Sequence, residues 1–351
     1  MNQGRAGESC HPMAAFALLA LLGAPGIARA EDFIDGVTAY HHGQYETAMR
    51  VLAPLAEHGN VIAQYDVATM YYHGNGAGQD YAAAARWFLA AAESGHGAAQ
   101  AELGRMYFHG NGVEQNYQTA VMWLTRAAER DNVGAQAELA NIYYRGLGVE
   151  RDYPLAMKWF STAAELGNVA AQAGLGHMYY NGQGTEQNYR LAVKWYTAAA
   201  NQGEATAQLV MGIMYDKGQG VPQDYQQALT WYTKAAEQGS ALAQNNLGAM
   251  YDKGHGVPQD YRLAAKWYLM AARQGEALAQ YNMGNLYYNG QGVLQDYKRA
   301  HMWLNIAAAQ GIHNASNIRD TVEGRMSIGQ IETAQAMAQH CMTSNFRQCD
   351  D

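Results

Sequence analysis

The tryptophans of this 351-residue chain recur every thirty-six residues, and that interval constrains the fold more than any other feature of the sequence. They are Trp87, Trp123, Trp159, Trp195, Trp231, Trp267 and Trp303. Glutamine keeps the same interval at Gln64, Gln100, Gln136, Gln172, Gln208, Gln244 and Gln280. Tyrosine recurs at the same thirty-six-residue interval from Tyr71 to Tyr287. Recurrence at a fixed interval is the signature of a protein built from one repeated structural unit.

The spacing inside each unit indicates two helices, which we call A and B. Helix B carries a stripe of apolar residues at i, i+3, i+4, i+7 and i+8, for example Ala120, Trp123, Leu124, Ala127 and Ala128. This stripe is one face of an α-helix, and the segment before it has the same spacing. Because a single helix pair cannot bury its apolar face, the pattern predicts stacked pairs with a continuous core, each helix being about thirteen residues long.

Recurring polar residues and glycines mark the predicted helix ends. Only Asp or Asn precedes helix B, at Asp80, Asn116, Asp152, Asn188, Asp224, Asp260 and Asp296. Such side chains cap a helix N-terminus. Glycine follows helix B at Gly95, Gly167, Gly203, Gly239, Gly275 and Gly311, where a left-handed residue is expected. Asp131 takes this place in one unit, and there we expect Asn132 to make the turn.

Glycine also recurs inside helix A, although an interior glycine costs about 1 kcal/mol relative to alanine. It occurs at Gly104, Gly176, Gly212, Gly248 and Gly284, with Ala68 and Ala140 in the other two units. We expect the missing side chain to leave room for the tryptophan ring of helix B.

Helix A reads AxAQxxLGxMYxxGxGV and is followed by xxDYxxAxxWYxxAAxxG, which resembles the SEL-one-like repeat, a relative of the tetratricopeptide repeat. The resemblance covers residues 61–311 in seven units. It implies an all-α fold, a right-handed superhelical solenoid of antiparallel helix pairs with helices A on the concave side. It also implies an adaptor role in assembling or regulating other proteins.

Both ends depart from the repeat, as terminal units must if they are to close a stack. Residues 31–60 resemble an ordinary tetratricopeptide unit, and we expect them to cap the array. Residues 312–351 read as two closing helices and a tail, with a capping box formed by Ser327 and Gln330. Ile328, Ile331 and Met337 are expected to cover the final repeat.

Residues 1–30 have the pattern of a secretory signal peptide. Arg5 precedes an apolar run that ends at Ala28-Arg29-Ala30, so cleavage is expected after Ala30. The alternative is a retained anchor, although the run is short for a membrane span of about 20 residues. The pattern predicts a secreted or periplasmic protein of bacterial type, with no membrane insertion after cleavage.

Two properties of the chain beyond residue 30 restrict its partners and its redox state. With Arg5, Arg29 and Glu8 in the leader, 21 of 23 basic and 30 of 31 acidic residues remain, a net charge of −9. Nucleic acid is therefore a poor partner. Cys341 and Cys349 are expected to form a disulfide in an oxidising compartment, the alternative being two free thiols.

The sequence contains none of the common catalytic motifs, and we expect no cofactor, no metal site and no catalytic residues. HExxH, GxSxG, P-loop and CxxC patterns are absent. The glycine pairs between helices, such as Gly218 and Gly220, follow a helix rather than a strand, so they lack the context of a dinucleotide-binding loop. Cysteine-rich relatives in the resembling family are associated with β-lactams, but residues 61–311 contain no cysteine.

Residues that vary from unit to unit on helix A form the predicted binding surface. The position opposite the buried stripe reads Thr69, Arg105, Asn141, His177, Ile213, Ala249 and Asn285. It is flanked on one side by Asp66, Glu102, Glu138, Asn246 and Asn282, and on the other by Tyr72, Phe108, Tyr144, Tyr180 and Tyr288. Amides and aromatic rings suit an extended peptide. The alternatives are that these side chains are merely solvated or that the aromatic series packs between helices.

The sequence thus predicts a non-catalytic scaffold that binds a protein or peptide in a concave groove in the cell envelope. The alternative function is a hydrolase acting on β-lactam or cell-wall substrates.

Overall fold

The computed structural model describes residues 30–349, which form two compact units, one ending at Arg151 and the other beginning at Asp152. Almost all of the predicted signal peptide, residues 1–29, lies outside the described residues. Every regular element in the described range is an α-helix, as the pattern predicts, and the range contains no strand. Of these helices, none combines the length and the apolar character that crossing a lipid bilayer requires.

The first unit contains α1 Ala30–His41, α2 Tyr45–Glu57, α3 Val61–His73, α4 Tyr81–Glu93, α5 Gly97–His109, α6 Tyr117–Ala128 and α7 Val133–Arg145. The second unit begins with α8 Tyr153–Glu165, α9 Val169–Asn181, α10 Tyr189–Asn201, α11 Ala205–Lys217, α12 Tyr225–Glu237 and α13 Ala241–Lys253. It ends with α14 Tyr261–Ala272, α15 Ala277–Asn289, α16 Tyr297–Ala309, α17 His313–Glu323 and α18 Ile328–Thr343. Helices A are the odd-numbered helices from α3 to α15, and helices B are the even-numbered helices from α4 to α16. Within each of the two compact units, a helix A packs on the helix B of the same repeat, and that helix B packs on the helix A of the next repeat.

The predicted caps are confirmed. The seven Asp and Asn side chains that precede helices B each accept a hydrogen bond from a backbone N–H of the first turn. The six glycines after helices B have positive φ. The expectation for the repeat that carries Asp131 is wrong: Asp131 itself is left-handed, with φ 59°, and Asn132 instead caps α7 by accepting from Ala135 N.

The glycine-rich loop between helices A and B packs tightly against the preceding repeat. Gly220 has φ 76°, and a Cβ added there would lie 2.5 Å from the carbonyl oxygen of Tyr189, the first residue of α10. The loop therefore needs glycine both for its conformation and for this close approach. Gly220 therefore packs against the preceding repeat and does not serve to bind a ligand.

The side chain that fills the space beside each interior glycine is the residue after tryptophan, so the expectation for the tryptophan ring is wrong. A Cβ on Gly212 would lie 2.4 Å from Cδ1 of Tyr232, and one on Gly104 would lie 2.8 Å from Cγ of Leu124. We call this series the plug residues: Phe88, Leu124, Phe160, Tyr196, Tyr232, Tyr268 and Leu304. All seven are buried.

Four of the seven tryptophans lie at the edge of the core rather than at its centre. Trp123, Trp231 and Trp303 are buried, whereas Trp87, Trp159, Trp195 and Trp267 are half-buried. A cationic side chain covers five of the seven rings, as Lys194 covers Trp195 at 4.5 Å from the ring centroid. Such cation–π contacts stabilise partly exposed aromatic rings.

The C-terminal segment folds into two helices, α17 and α18, that pack on α16. The predicted capping box of Ser327 and Gln330 is present. Ile328, however, is 77% exposed and does not cover the final repeat, because the buried face of α18 consists of Ala334, Ala338 and Cys341. Cys341 and Cys349 are joined by a disulfide, with 4.5 Å between their Cα atoms.

Candidate functional site

The side of helices A that faces away from the core is the candidate site, and it is set by the helical register. In α3, Ala63, Gln64, Val67, Ala68 and Met70 are buried. The positions equivalent to 66, 69 and 72 are half-buried or exposed in every repeat, and only Gly174 and Ala249 among them have little or no side chain. We call the side chains at these three positions the A face, and we describe it separately in each unit.

In the first unit the A face holds an ionic cluster. Arg105 on α5 bonds Glu102 on the same helix, with 2.5 Å from Nη1 to Oε1, and Glu138 on α7, with 2.6 Å from Nε to Oε1. Burial raises the pKa of Glu138 although Arg105 acts to lower it. Burial acts to lower the pKa of Arg105, but the two carboxylates outweigh it and raise that pKa. Arg105 therefore ties two consecutive helices A together.

Thr69 and Asn141 complete the central series of the first unit and differ in their hydrogen bonding. Thr69 Oγ1 donates to the carbonyl oxygen of Tyr65 at 2.9 Å, so its hydroxyl proton is engaged within α3. Asn141 is exposed, and no hydrogen bond within residues 30–349 engages its side chain. Asn141 is the side chain of this series that is open to a partner.

In the second unit the central series begins with His177, an exposed residue whose pKa is lowered by partial burial of the imidazole. Asn181 Nδ2 lies 3.1 Å from His177 Nε2. Ile213 is half-buried and packs against the core cluster around Tyr232. Asn285 is half-buried, and its side chain forms no hydrogen bond with any residue that the structure describes.

The flanking asparagines of the second unit bond to their own protein. Asn282 Nδ2 donates to Oδ1 of the buried Asn245 at 3.1 Å, which links α15 to α13. Asn246 is hydrogen-bonded to the hydroxyl of the plug residue Tyr232. Asn282 thus links two helices A and Asn246 links a helix A to the preceding helix B, so both amides present only part of their hydrogen-bonding capacity outward.

The aromatic flank packs against the start of helix B. The ring centroid of Tyr72 lies 5.0 Å from that of Tyr81, and the corresponding distance from Phe108 to Tyr117 is 5.2 Å. Tyr180 and Tyr288 meet Tyr189 and Tyr297 in the same way. The five flanking residues, Tyr144 included, are half-buried, so part of each ring packs within the protein and part is exposed to solvent.

Sequence reasoning missed a pair of aspartates on the A face of the second unit. Asp216 and Asp252 replace the aromatic residue in two repeats, and Tyr268 Oη donates to Asp252 Oδ2 at 3.2 Å. Burial and the neighbouring aspartate raise the pKa of Tyr232 and of Tyr268, so both stay protonated. The sequence did contain a signal, because these aspartates occur only where the plug residue is tyrosine.

The described residues give little support for metal or acid–base chemistry. No group of three or more His, Cys, Asp or Glu side chains in residues 30–349 is placed to hold a metal ion. One close His–carboxylate pair exists in the C-terminal cap, with 2.7 Å between His301 Nε2 and Glu323 Oε1. Because the imidazole is fully buried in the packing of α16, a substrate has no access to it.

Comparison with known proteins places this geometry in a family. The family model described as the Sel1 repeat matches residues 61–96, 97–132, 133–168, 169–204, 205–240, 241–276 and 277–312. Among curated protein sequences, none matches this chain.

Two solved structures are similar to this chain. A Sel1 repeat protein from Oxalobacter formigenes is 34% identical, with a TM-score of 0.64, over 83% of this chain and 86% of its own. The chain is also similar to c5321, described as a protective antigen of uropathogenic Escherichia coli with an SLR fold. That match has 29% identity and a TM-score of 0.48 over 90% of this chain and 85% of the other.

Proposed function

This chain belongs to the Sel1 repeat family, and from that premise we propose that it is a non-catalytic scaffold whose A face binds an extended segment of another protein. The residues proposed to bind are Thr69, Tyr72, Arg105, Phe108, Asn141 and Tyr144 in the first unit. In the second unit they are His177, Tyr180, Ile213, Asn246, Asn282 and Asn285.

One observation supports the proposal most strongly: the repeats keep their buried glutamines and their large apolar plug residues, whereas the chemistry of the A face varies. Stacking requires the plug residues, the buried glutamines and the caps, but it does not require an amide at 141 or an imidazole at 177. Amides that are open to solvent beside half-buried aromatic rings match an extended peptide. Such a peptide offers backbone donors and acceptors together with apolar side chains.

Two features support a location in the cell envelope. Residues 1–30 carry the pattern of a signal peptide, and disulfides such as Cys341–Cys349 persist in oxidising compartments. The net charge of −9 after leader removal disfavours nucleic acid as the partner.

The non-catalytic part of the proposal is supported by the burial of His301, the imidazole of the His301–Glu323 pair. Purified protein is expected to leave a chromogenic β-lactam and isolated peptidoglycan unhydrolysed. Turnover that copurifies with the protein would favour the hydrolase alternative instead.

Site-specific photocrosslinking in cells that naturally produce the protein tests the binding surface. A benzophenone amino acid is placed at Asn141 or at Asn285 on the A face. Matched controls carry it at Arg86 or Gln227, which are exposed on helices B. We expect the same protein to be crosslinked from both A-face positions and from neither control. Crosslinks from helices B alone would refute the A-face assignment.

A further inference from the structure

The glutamine that recurs in helix A is buried in every repeat, and its two amide atoms have different partners. The nitrogen always donates to the carbonyl eight residues earlier, as Gln172 Nε2 donates to Ala164 at 3.2 Å and Gln100 Nε2 donates to Ala92 at 3.0 Å. The oxygen depends on a second side chain, thirty residues later. In the second unit that side chain is always a glutamine, whereas Oε1 of Gln64, Gln100 and Gln136 in the first unit has no hydrogen-bond partner.

In the second unit the buried glutamine oxygen accepts from another carboxamide. The four bonds join Gln202 to Gln172, Gln238 to Gln208, Gln274 to Gln244 and Gln310 to Gln280, with lengths of 2.6–2.8 Å. Gln202 and Gln238 use the same Nε2 to reach a glycine carbonyl as well, that of Gly167 and Gly203. One carboxamide thus satisfies two acceptors at the turn between helix B and the next helix A.

In the first unit Arg130 occupies the equivalent place and satisfies only one of the two acceptors. Its Nη1 donates to the carbonyl of Gly95 at 3.0 Å. Gln100 is 3% exposed, and its Oε1 has no hydrogen-bond partner. A buried acceptor without a donor is unfavourable, so a ligand that donates a hydrogen bond to Gln100 Oε1 would be stabilised by that bond.

A cavity of about 490 Å³ lies at this position, and Gln100 lines it. Two arginines, Arg126 and Arg130, and two glutamates, Glu93 and Glu129, also line it. The opposite charges are equal in number, so the cavity does not select a strongly charged ligand by its net charge. The unpaired Oε1 of Gln100 can accept a hydrogen bond from an N–H donor, and the guanidinium groups of Arg126 and Arg130 can donate to a carbonyl oxygen.

We propose that this cavity binds a primary carboxamide, the group carried by glutamine and asparagine side chains. The carboxamide N–H bonds Gln100 Oε1, as the internal glutamine does in the second unit, and the carboxamide oxygen accepts from Arg126 or Arg130. The source is either free glutamine or a glutamine side chain in a bound peptide. This site lies at the turn between helices α4 and α5 and does not depend on the A face.

The test measures the chemical shift of the Gln100 side-chain amide in the full-length protein during titration. One probe is free L-glutamine, and a second is N-acetylglutamine N-methylamide, which represents a residue within a peptide. A third is the same peptide mimic with a dimethylated side-chain amide, which has lost both side-chain N–H donors. We expect a saturable shift from the first or the second probe, and none from the third. The probe that binds more tightly identifies the source.

Arg130→Gln is the decisive variant, because it restores the internal carboxamide of the second unit. We expect it to keep the helical circular dichroism and to abolish the shift. Arg86→Gln makes the same chemical change outside the cavity and should leave the shift intact. The proposal is overturned if neither glutamine probe shifts Gln100, if the dimethylated probe shifts it equally, or if Arg130→Gln still binds.

Discussion

At the scale of single residues, the plug residue contributes more to the core than the preceding tryptophan wherever that tryptophan is only half-buried, as in the repeat of Tyr196. Tyr196 is 3% exposed and sits against Gly176, where an added Cβ would lie 3.0 Å from its ring. Trp195 is half-buried under Lys194. Because the Tyr196 ring is buried and the Trp195 ring is only half-buried, removal of the Tyr196 ring should lower the free energy of unfolding more.

Truncation of each ring tests this difference. Tyr196→Ala should lower the free energy of unfolding by about 3–5 kcal/mol, because it leaves a large cavity. Trp195→Ala should lower it by about 1–2 kcal/mol, because much of the ring already lies in water. Urea unfolding followed by circular dichroism measures both. An equal loss, or a greater loss from Trp195→Ala, would show that the tryptophan is the core residue after all.

His96 gives one helix cap a pH dependence. Its Nδ1 accepts from Ala99 N at 3.1 Å at the start of α5, and its ring lies 4.6 Å from that of Tyr65. Burial lowers the pKa of His96 in the folded protein. Because the folded pKa is below the unfolded one, the stabilisation is present above the ordinary value near 6.5 and is lost as the pH falls through the folded pKa.

His96→Asn removes this dependence while keeping a cap, since Asn60, Asn132 and Asn168 cap the equivalent helices. The melting temperature of the wild type should fall between pH 7.5 and 5. The variant should fall less over that interval and match or exceed the wild type at the lower pH. Parallel declines in the two proteins would mean that His96 does not contribute to the pH response.

At the scale of helices, the interior glycines set the distance between helix A and helix B. Gly212→Ala should destabilise the protein by about 1–3 kcal/mol, because the new methyl group collides with the Tyr232 ring. This outcome opposes intrinsic helix propensity, which favours alanine by about 1 kcal/mol. Gly329→Ala is the control, since nothing lies within 4 Å of its Cβ position in α18. The two variants should shift the melting temperature in opposite directions, and a gain from Gly212→Ala would contradict the packing role.

The helix boundaries could be predicted from the sequence because each is marked by one residue type with one local function. Asp80 and its equivalents cap a helix whatever surrounds them, so seven repetitions of the pattern were enough. The plug residue escaped notice because its identity varies among Phe, Leu and Tyr while its size stays large. Tryptophan never varies, so the sequence pattern suggested that its ring fills the space beside the interior glycine.

Predictions that depended on distant partners could not be made from local patterns. The bond between Arg105 and Glu138 joins residues thirty-three positions apart, and nothing in either helix alone indicates it. The exposure of Ile328 follows from how α18 turns its alanines toward α16, which helical spacing leaves undetermined. The composition of the A face was visible in the sequence, but its internal hydrogen bonds were not.

At the scale of the whole molecule, each unit is assembled by contacts between neighbours in sequence. The core consists of successive clusters, each drawn from three to five consecutive helices. A fold stabilised in this way tolerates variation at every position that stacking does not use. The A face is such a set of positions, and partner binding is the function that we propose for it.

The central claim is that the A face, and not the B helices, contacts the partner. Isothermal titration of the crosslinked partner against purified variants tests it most directly. The Asn141→Ala and Asn285→Ala double variant removes two amides that make no internal hydrogen bond among the described residues, so it should keep its helical circular dichroism. It should bind at least tenfold more weakly than the wild type, about 1.4 kcal/mol, whereas the Gln227→Ala control should bind equally well. Unchanged affinity in the double variant, or a comparable loss in the control, would contradict the account.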